Sequence, residues 1–327
     1  LNLRELAREL RSFEGVTRKY PVKTVVEGLL EPLDVTFEGE VIADVGEDAA
    51  AVKVGDDILL IAADGIWGKL IDRDPWWAGY CAVLVNVNDV LAMGGRPVGL
   101  VNVISTSDVD VCREILEGMR EGAWKFSTPV LGGHTHPDTP YTAVDAAIVG
   151  ITNEEHLVLS STAEEGDLIV FVIDLNGRPY PEYPLNWDTT TMKDPDYLRR
   201  QMEAVAEASR LVKAGKDVSN PGLVGTLAMM LEASGCLGAE VWLDNIPKPE
   251  NVDMATWLKM YPGMGFVYAV DSDRDVRAIK HVLSDAGLEV SVIGEVTEDG
   301  VVKVTEGDES ARVFDFREDR ILGVSPR

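Results

Sequence analysis

Asn86-Val87-Asn88-Asp89-Val90-Leu91-Ala92-Met93-Gly94-Gly95-Arg96-Pro97 closes the longest apolar run of the chain and decides how the rest is read. Upstream, Asp74 followed by Pro75 is an N-cap with proline in the first turn. Gly94-Gly95 is a C-terminal stop, so a helix is predicted over residues 76–93. This helix is apolar around most of its circumference, which implies burial on most sides. Asn86, Asn88 and Asp89 therefore need partners inside the fold, because a buried polar group without one is costly. They read as a ligand-facing stripe, with capping of neighbouring backbone as the ordinary alternative.

Strands and helices interleave around this helix. Apolar spacing at Leu3, Leu6, Leu10 and Phe13 predicts a helix over residues 3–13, and a second is expected over 21–30. Strands are predicted over 41–43, 50–54, 58–63, 97–104 and 143–152, with an amphipathic helix over 109–126. The polar turn Glu164-Glu165-Gly166-Asp167 precedes a strand over 168–173, which places a domain boundary there and divides the chain into 1–163 and 164–327. In the second unit, helices are expected over 196–214, 223–234, 253–260 and 274–286, and strands over 240–243, 266–270 and 290–296. Residues 176–195 read as a long loop rich in Pro, Tyr, Trp and Thr, a length that points to function. No short repeat of fixed period is present, which argues against solenoids and propellers.

The 327 residues suffice for two cores, and 46% hydrophobic with 26% charged residues is an ordinary globular balance. A formal net charge of −26 repels nucleic acid and anionic membrane surfaces, so neither is an expected partner. No run approaches the length of a membrane span, and LNLRELAREL carries charges where a signal peptide would be apolar; a cytoplasmic protein is expected. Cys81, Cys112 and Cys236 are widely spaced and form no CxxC pair, which suits reduced thiols. In so acidic a chain, a phosphorylated ligand needs divalent cations and a few local bases to offset the repulsion.

Val45-Gly46-Glu47-Asp48-Ala49-Ala50 sets two carboxylates in a turn beside small residues, where a hard cation can approach without crowding. The same residues also make an ordinary acidic turn. Asp64 ends an apolar strand just before Gly65. In Gly132-Gly133-His134-Thr135-His136-Pro137-Asp138, extended backbone would send His134, His136 and Asp138 to one side. That pattern supports a metal-dependent hydrolase with zinc or iron, although only His156 and His281 remain as further histidines. The paired glycines suggest instead a close backbone approach to phosphate. Asp217-Val218-Ser219-Asn220-Pro221-Gly222 opens an apolar helix whose free N–H groups suit an anion, or simply caps it. Pro262-Gly263-Met264-Gly265 is a weak turn signal. There is no GxxxxGK[ST] loop, no full GxGxxG, no GxSxG and no kinase HRD or DFG set.

In order, VGEDAA at 45–50, ADG at 63–65, NVNDVLAMGGRP at 86–97, GGHT at 132–135, DVSNPGL at 217–223 and GMGF at 263–266 resemble the aminoimidazole-ribonucleotide (AIR) synthase superfamily. That group includes thiamine-monophosphate kinase, selenophosphate synthetase and the ATP-consuming dehydratase of hydrogenase maturation. Within it, NWDTTTMK at 186–193 and GKDVSNPG at 215–222 look most like AIR synthase-related proteins of the methanogenesis marker protein 2 group. The resemblance covers nearly the whole chain. It implies an α+β protein: an N-terminal mixed-sheet domain with flanking helices that forms a homodimer through its sheet, and a C-terminal α/β domain beside it. ATP and Mg2+ would sit in the cleft bordered by the N-terminal domains.

By that resemblance, Asp48, Asp64 and Asp89 hold magnesium and phosphates, while Gly46, Glu47 and Asn88 border the nucleotide. Gly132 and Gly133 line the phosphate path, with Asp217 and Asn220 beginning the second acidic motif. His134 stands where many relatives carry Asp, and so does Asn220; each replaces an anionic oxygen by a neutral group. Fewer metal ions are expected as a result. The reactive N-terminal cysteine of a selenophosphate synthetase and the C-terminal acceptor cysteine of the hydrogenase enzyme are missing, the chain ending Val324-Ser325-Pro326-Arg327. Arg18 and Lys19 are candidates to close over phosphates. Asp188, Thr189, Thr190 and Lys193 are assigned to a small substrate, because their loop concentrates aromatic surface and hydroxyls beside charge. The expected activity is Mg-dependent, ATP-dependent phosphorylation or activation of a substrate oxygen, with His134 among the catalytic residues. A nucleotide-binding regulator without turnover is the alternative from another class.

Overall fold

The computed structural model describes residues 2–29, 38–261 and 263–323. The calls on Leu30, Pro262 and the terminal Val324–Arg327 lie outside these.

The first unit begins with helices α1 (Leu3–Ser12), α2 (Glu14–Thr17) and α3 (Val22–Leu29). Strands β1 (Glu40–Ala43), β2 (Ala50–Val54) and β3 (Asp57–Gly65) follow, then α4 (Gly68–Ile71), α5 (Pro75–Ala92), β4 (Arg96–Ser105), α6 (Val109–Lys125), β5 (Val130–His136) and β6 (Ala143–Thr152). The second unit runs β7 (Leu168–Ile173), β8 (Arg178–Tyr180), β9 (Tyr183–Asp188), α7 (Pro195–Ala208), β10 (Ala214–Asp217), α8 (Gly222–Ala233), β11 (Gly238–Trp242), α9 (Met254–Trp257), β12 (Gly265–Val270), α10 (Asp273–Ser284), β13 (Glu289–Thr297), β14 (Val301–Glu306) and β15 (Glu309–Asp315).

Two sheets carry the fold. The first has the order β1-β2-β3-β6-β4-β5, and the second β10-β12-β7-β13-β11-β14-β15. Neighbours are antiparallel except β4 with β5 and β11 with β14. The architecture is α+β. In the second sheet, β7 alternates Ile169, Phe171 and Ile173 into one core with Val170 and Val172 into the other, so helices cover both faces. The first sheet is covered on one face only. Leu60, Leu100, Val144 and Ile148 face the helices, while Ile61, Val101, Val103 and Val149 are exposed on the other side.

Helix α5 joins the units. Asp74 caps it by accepting the Trp77 N–H, and nearly every later side chain is buried between the first sheet, α6 and the second unit. Its approach to α6 needs Gly79 and Gly118, since a Cβ on either would stand about 2 Å from a carbonyl of the opposite helix (2.0 Å from Ile115 O, 1.9 Å from Trp76 O).

Three expectations are corrected. Residues 178–188 form the hairpin β8–β9 rather than a loop. The helix expected over 196–214 ends at Ala208, and Ala214 already belongs to β10. The strands β14 and β15 were not anticipated.

Candidate active site

Four segments converge where α5 meets both sheets: the turn before β2, the end of β3, the last turn of α5 and the end of β10. They enclose a cleft of ≈ 420 Å³. Asp48, Asp64, Asp89 and Asp217 line it with Glu47, Lys19 and Lys216, and Trp67, Leu70, Val85 and Tyr261 supply apolar wall.

Asp48, Asp89 and Asp217 can each place an oxygen within 4.8 Å of the others. Asp64 hydrogen-bonds Asp89. Burial drives Asp89 well above the ordinary carboxylate pKa, and Asp64, Asp217 and Asp48 push it further. Burial does the same to Asp217, with Asp48 adding to the rise and Lys216 opposing it. Asp48 is also raised by burial, against the pull of Lys216, whose ammonium donates to Asp48 Oδ1. The other oxygen, Asp48 Oδ2, is buried and has no hydrogen-bond partner. Crowded oxygen donors that repel one another, one of them orphaned, fit a hard divalent cation.

The cleft brings together Gly46, Glu47, Asp48, Asp64, Asp89, Asp217, Asn220 and Lys19 from the residues singled out in the sequence. Gly46 has φ 110°, a conformation that favours glycine and turns the acidic segment toward the second unit. Glu47 there accepts the Ser160 N–H and, at 2.6 Å, the Ser161 hydroxyl. The α2 segment closes over Asn220, whose carbonyl would lie 1.9 Å from a Cβ on Gly15.

Other assignments fall outside the cleft lining. Asn88 is buried and donates to the Gly263 carbonyl at 2.8 Å, and Asn86 bonds Ala82 O within its own helix, so neither faces the cleft. Gly132, Gly133 and His134 lie on β5, the exposed edge strand. The His134 and His136 rings sit 4.6 Å apart, but no third ligand joins them among the described residues, which removes the hydrolase site drawn from this segment.

The substrate assignment is corrected as well. Asp188 accepts the Thr190 and Thr191 N–H groups, Thr189 Oγ1 accepts the Met264 N–H at 3.1 Å, and Thr190 Oγ1 accepts from Tyr80 at 2.8 Å. Lys193 pairs with Asp174. These side chains pin the hairpin against α5 and β12; none lines the cleft. Lys216, Trp67 and Tyr261 do line it and were missed. A lysine directly before Asp217 was the available signal for the first.

The AIR synthase related protein, N-terminal domain, matches residues 46–152, and the corresponding C-terminal domain matches 164–307. An uncharacterised protein of Methanocaldococcus jannaschii is 44% identical over 326 residues, covering 99% of this chain and 100% of its own length. Thermotoga maritima PurL complexed with ATP superposes with a TM-score of 0.71 at 22% identity, over 88% of this chain and 48% of PurL. The chain thus spans about half the length of PurL. AaThiL complexed with AMPPCP and TMP gives a TM-score of 0.63 at 18% identity, over 89% of this chain and 95% of its own. Members of this superfamily include ATP-using enzymes, and the chain belongs to the AIR synthase-related family.

Proposed function

We propose that this protein is an ATP-dependent enzyme that uses a divalent cation, in all expectation Mg2+, to transfer or activate a phosphoryl group on an oxygen of a small substrate. One observation carries the reading: Asp48, Asp89 and Asp217, drawn from three separate segments, converge within 4.8 Å in one cleft. The ATP and AMPPCP complexes of PurL and AaThiL support a nucleotide as the ligand. When bound, the cation would neutralise phosphate charge that the acidic surface otherwise repels.

The remaining roles belong to the chain. Asp48, Asp89 and Asp217 hold the ion, and Lys19 supplies local positive charge beside Asp217. Trp67, Leu70 and Tyr261 give the cleft an apolar wall that excludes water from the reacting phosphate. The exposed apolar face of the first sheet, with Val101 48% and Val149 39% exposed, supports pairing of two copies through that sheet.

Calorimetric titration with ATP, with and without Mg2+, alongside an ATP hydrolysis assay, tests the reading. Mg-dependent binding that Asp89→Asn abolishes is the expected result. Binding without turnover across candidate substrates would favour a nucleotide-binding regulator, and equal binding by wild type and Asp89→Asn would remove the site.

A further inference from the structure

Lys216 enters the carboxylate cluster from β10, in register with Val267 and directly before Asp217. Its side chain and that of Asp48 are each only 6% exposed. An ammonium so buried persists only among carboxylates that offset its lost hydration. Asp48 Oδ1 accepts its proton, Glu47 and Asp217 lie close enough to favour its charge, and Ser160 Oγ is 3.4 Å away. Asp48 Oδ2 meanwhile has no partner. One carboxylate therefore serves an internal cation through one oxygen and keeps the other for an external one.

Charge counting limits what else the cluster can take. Ionised Asp48, Asp89 and Asp217 carry three negative charges, of which Lys216 offsets one. The remainder equals the charge of a single divalent ion. Glu47 is committed to Ser160 and Ser161, and the charges of Asp64 and Lys19 offset each other. A second divalent ion would face net positive charge.

We propose that Lys216 is a resident cation of the cluster, occupying the place of a second divalent ion and restricting the cleft to one. The proposal rests on the reading of the cluster as a cation site. Counting bound Mn2+ by the electron paramagnetic signal of the free ion, in the full chain without nucleotide, tests it. Wild type and Lys216→Arg should each bind one ion, and Lys216→Met should bind two. Wild type already binding two, or Lys216→Met remaining at one while Asp89→Asn loses its ion, overturns the role of Lys216 alone. No uptake by wild type, or undiminished uptake by Asp89→Asn, overturns the metal site itself.

Since Lys216→Met leaves Asp48 unpaired and weakens the fold, its thermal unfolding is followed with and without Mn2+. A larger rise in Tm on adding the ion than wild type shows supports the proposal, and an equal rise counts against it.

Discussion

Asp89 on α5 and Asp217 at the end of β10 belong to different units, yet their carboxylate oxygens come within 4.8 Å of each other. Without a cation between them, the two repel in a buried setting where water screens little. Asp89→Asn keeps the shape and removes one charge. The metal-free variant should be more stable than wild type by about 1 kcal/mol, a rise in Tm of roughly 2–4 °C. Calorimetric unfolding in chelator checks this, and the Tm increase that Mg2+ gives wild type should disappear.

The raised pKa values of Asp48, Asp89 and Asp217 also set a pH dependence. An acid whose pKa is raised by folding favours the fold fully below its unfolded pKa, and that contribution fades as pH climbs past the folded value. Metal-free protein should therefore lose stability as pH rises above the ordinary carboxylate range of about 4. Protons and Mg2+ compete for the same oxygens, so the Mg-induced gain in Tm should widen over that rise. A series of melting curves with chelator or Mg2+ reads both trends, and a flat metal-free series would contradict the carboxylate cluster.

Val101, half exposed on β4, lies on the apolar outer face with Val103 and Val149. Val101→Asp should convert the proposed dimer to monomer, read as a halving of mass in sedimentation equilibrium. Because the side chain faces away from α5 and α6, monomer stability should change by no more than about 0.5 kcal/mol. Wild type sedimenting as a monomer would end the pairing proposal.

Much of this was legible because local pattern and tertiary environment agreed. The strand periods at 50–54, 143–152 and 168–173 matched their sheets, and Asp89 stood out as a carboxylate in an apolar helix. The hairpin β8–β9 was hidden by Pro179, Pro181 and Pro184, which interrupt a strand signal and leave only an edge ribbon available. Its hydroxyls looked exposed, but Thr189 and Thr190 are completely buried by hydrogen bonds to Met264 and Tyr80, partners far along the chain. β10 was too short to interrupt the helical run before it. Lys216 could not be read, since its counter-ion Asp48 belongs to the other unit. Gly132-Gly133-His134 resembled a phosphate loop, whereas in the fold it is an edge strand beside β4.

The same buried hairpin yields a stability test apart from the cleft. Lys125, at the end of α6, is 5% exposed and donates to the carbonyls of Thr190, Thr191 and Lys193, the last two partly covered. A charged donor ties three backbone acceptors that would otherwise go unsatisfied, and bonds from charged groups are worth about 1.5–3 kcal/mol. Lys125→Met keeps the length and removes them all. Stability should fall by roughly 3 kcal/mol in urea unfolding, because the segment joining β9 to α7 loses its anchor. Mn2+ binding should be unchanged, as Lys125 does not line the cleft. An unchanged urea midpoint would show that α6 does not hold this segment, while lost Mn2+ uptake in a folded variant would tie the hairpin to the cleft after all.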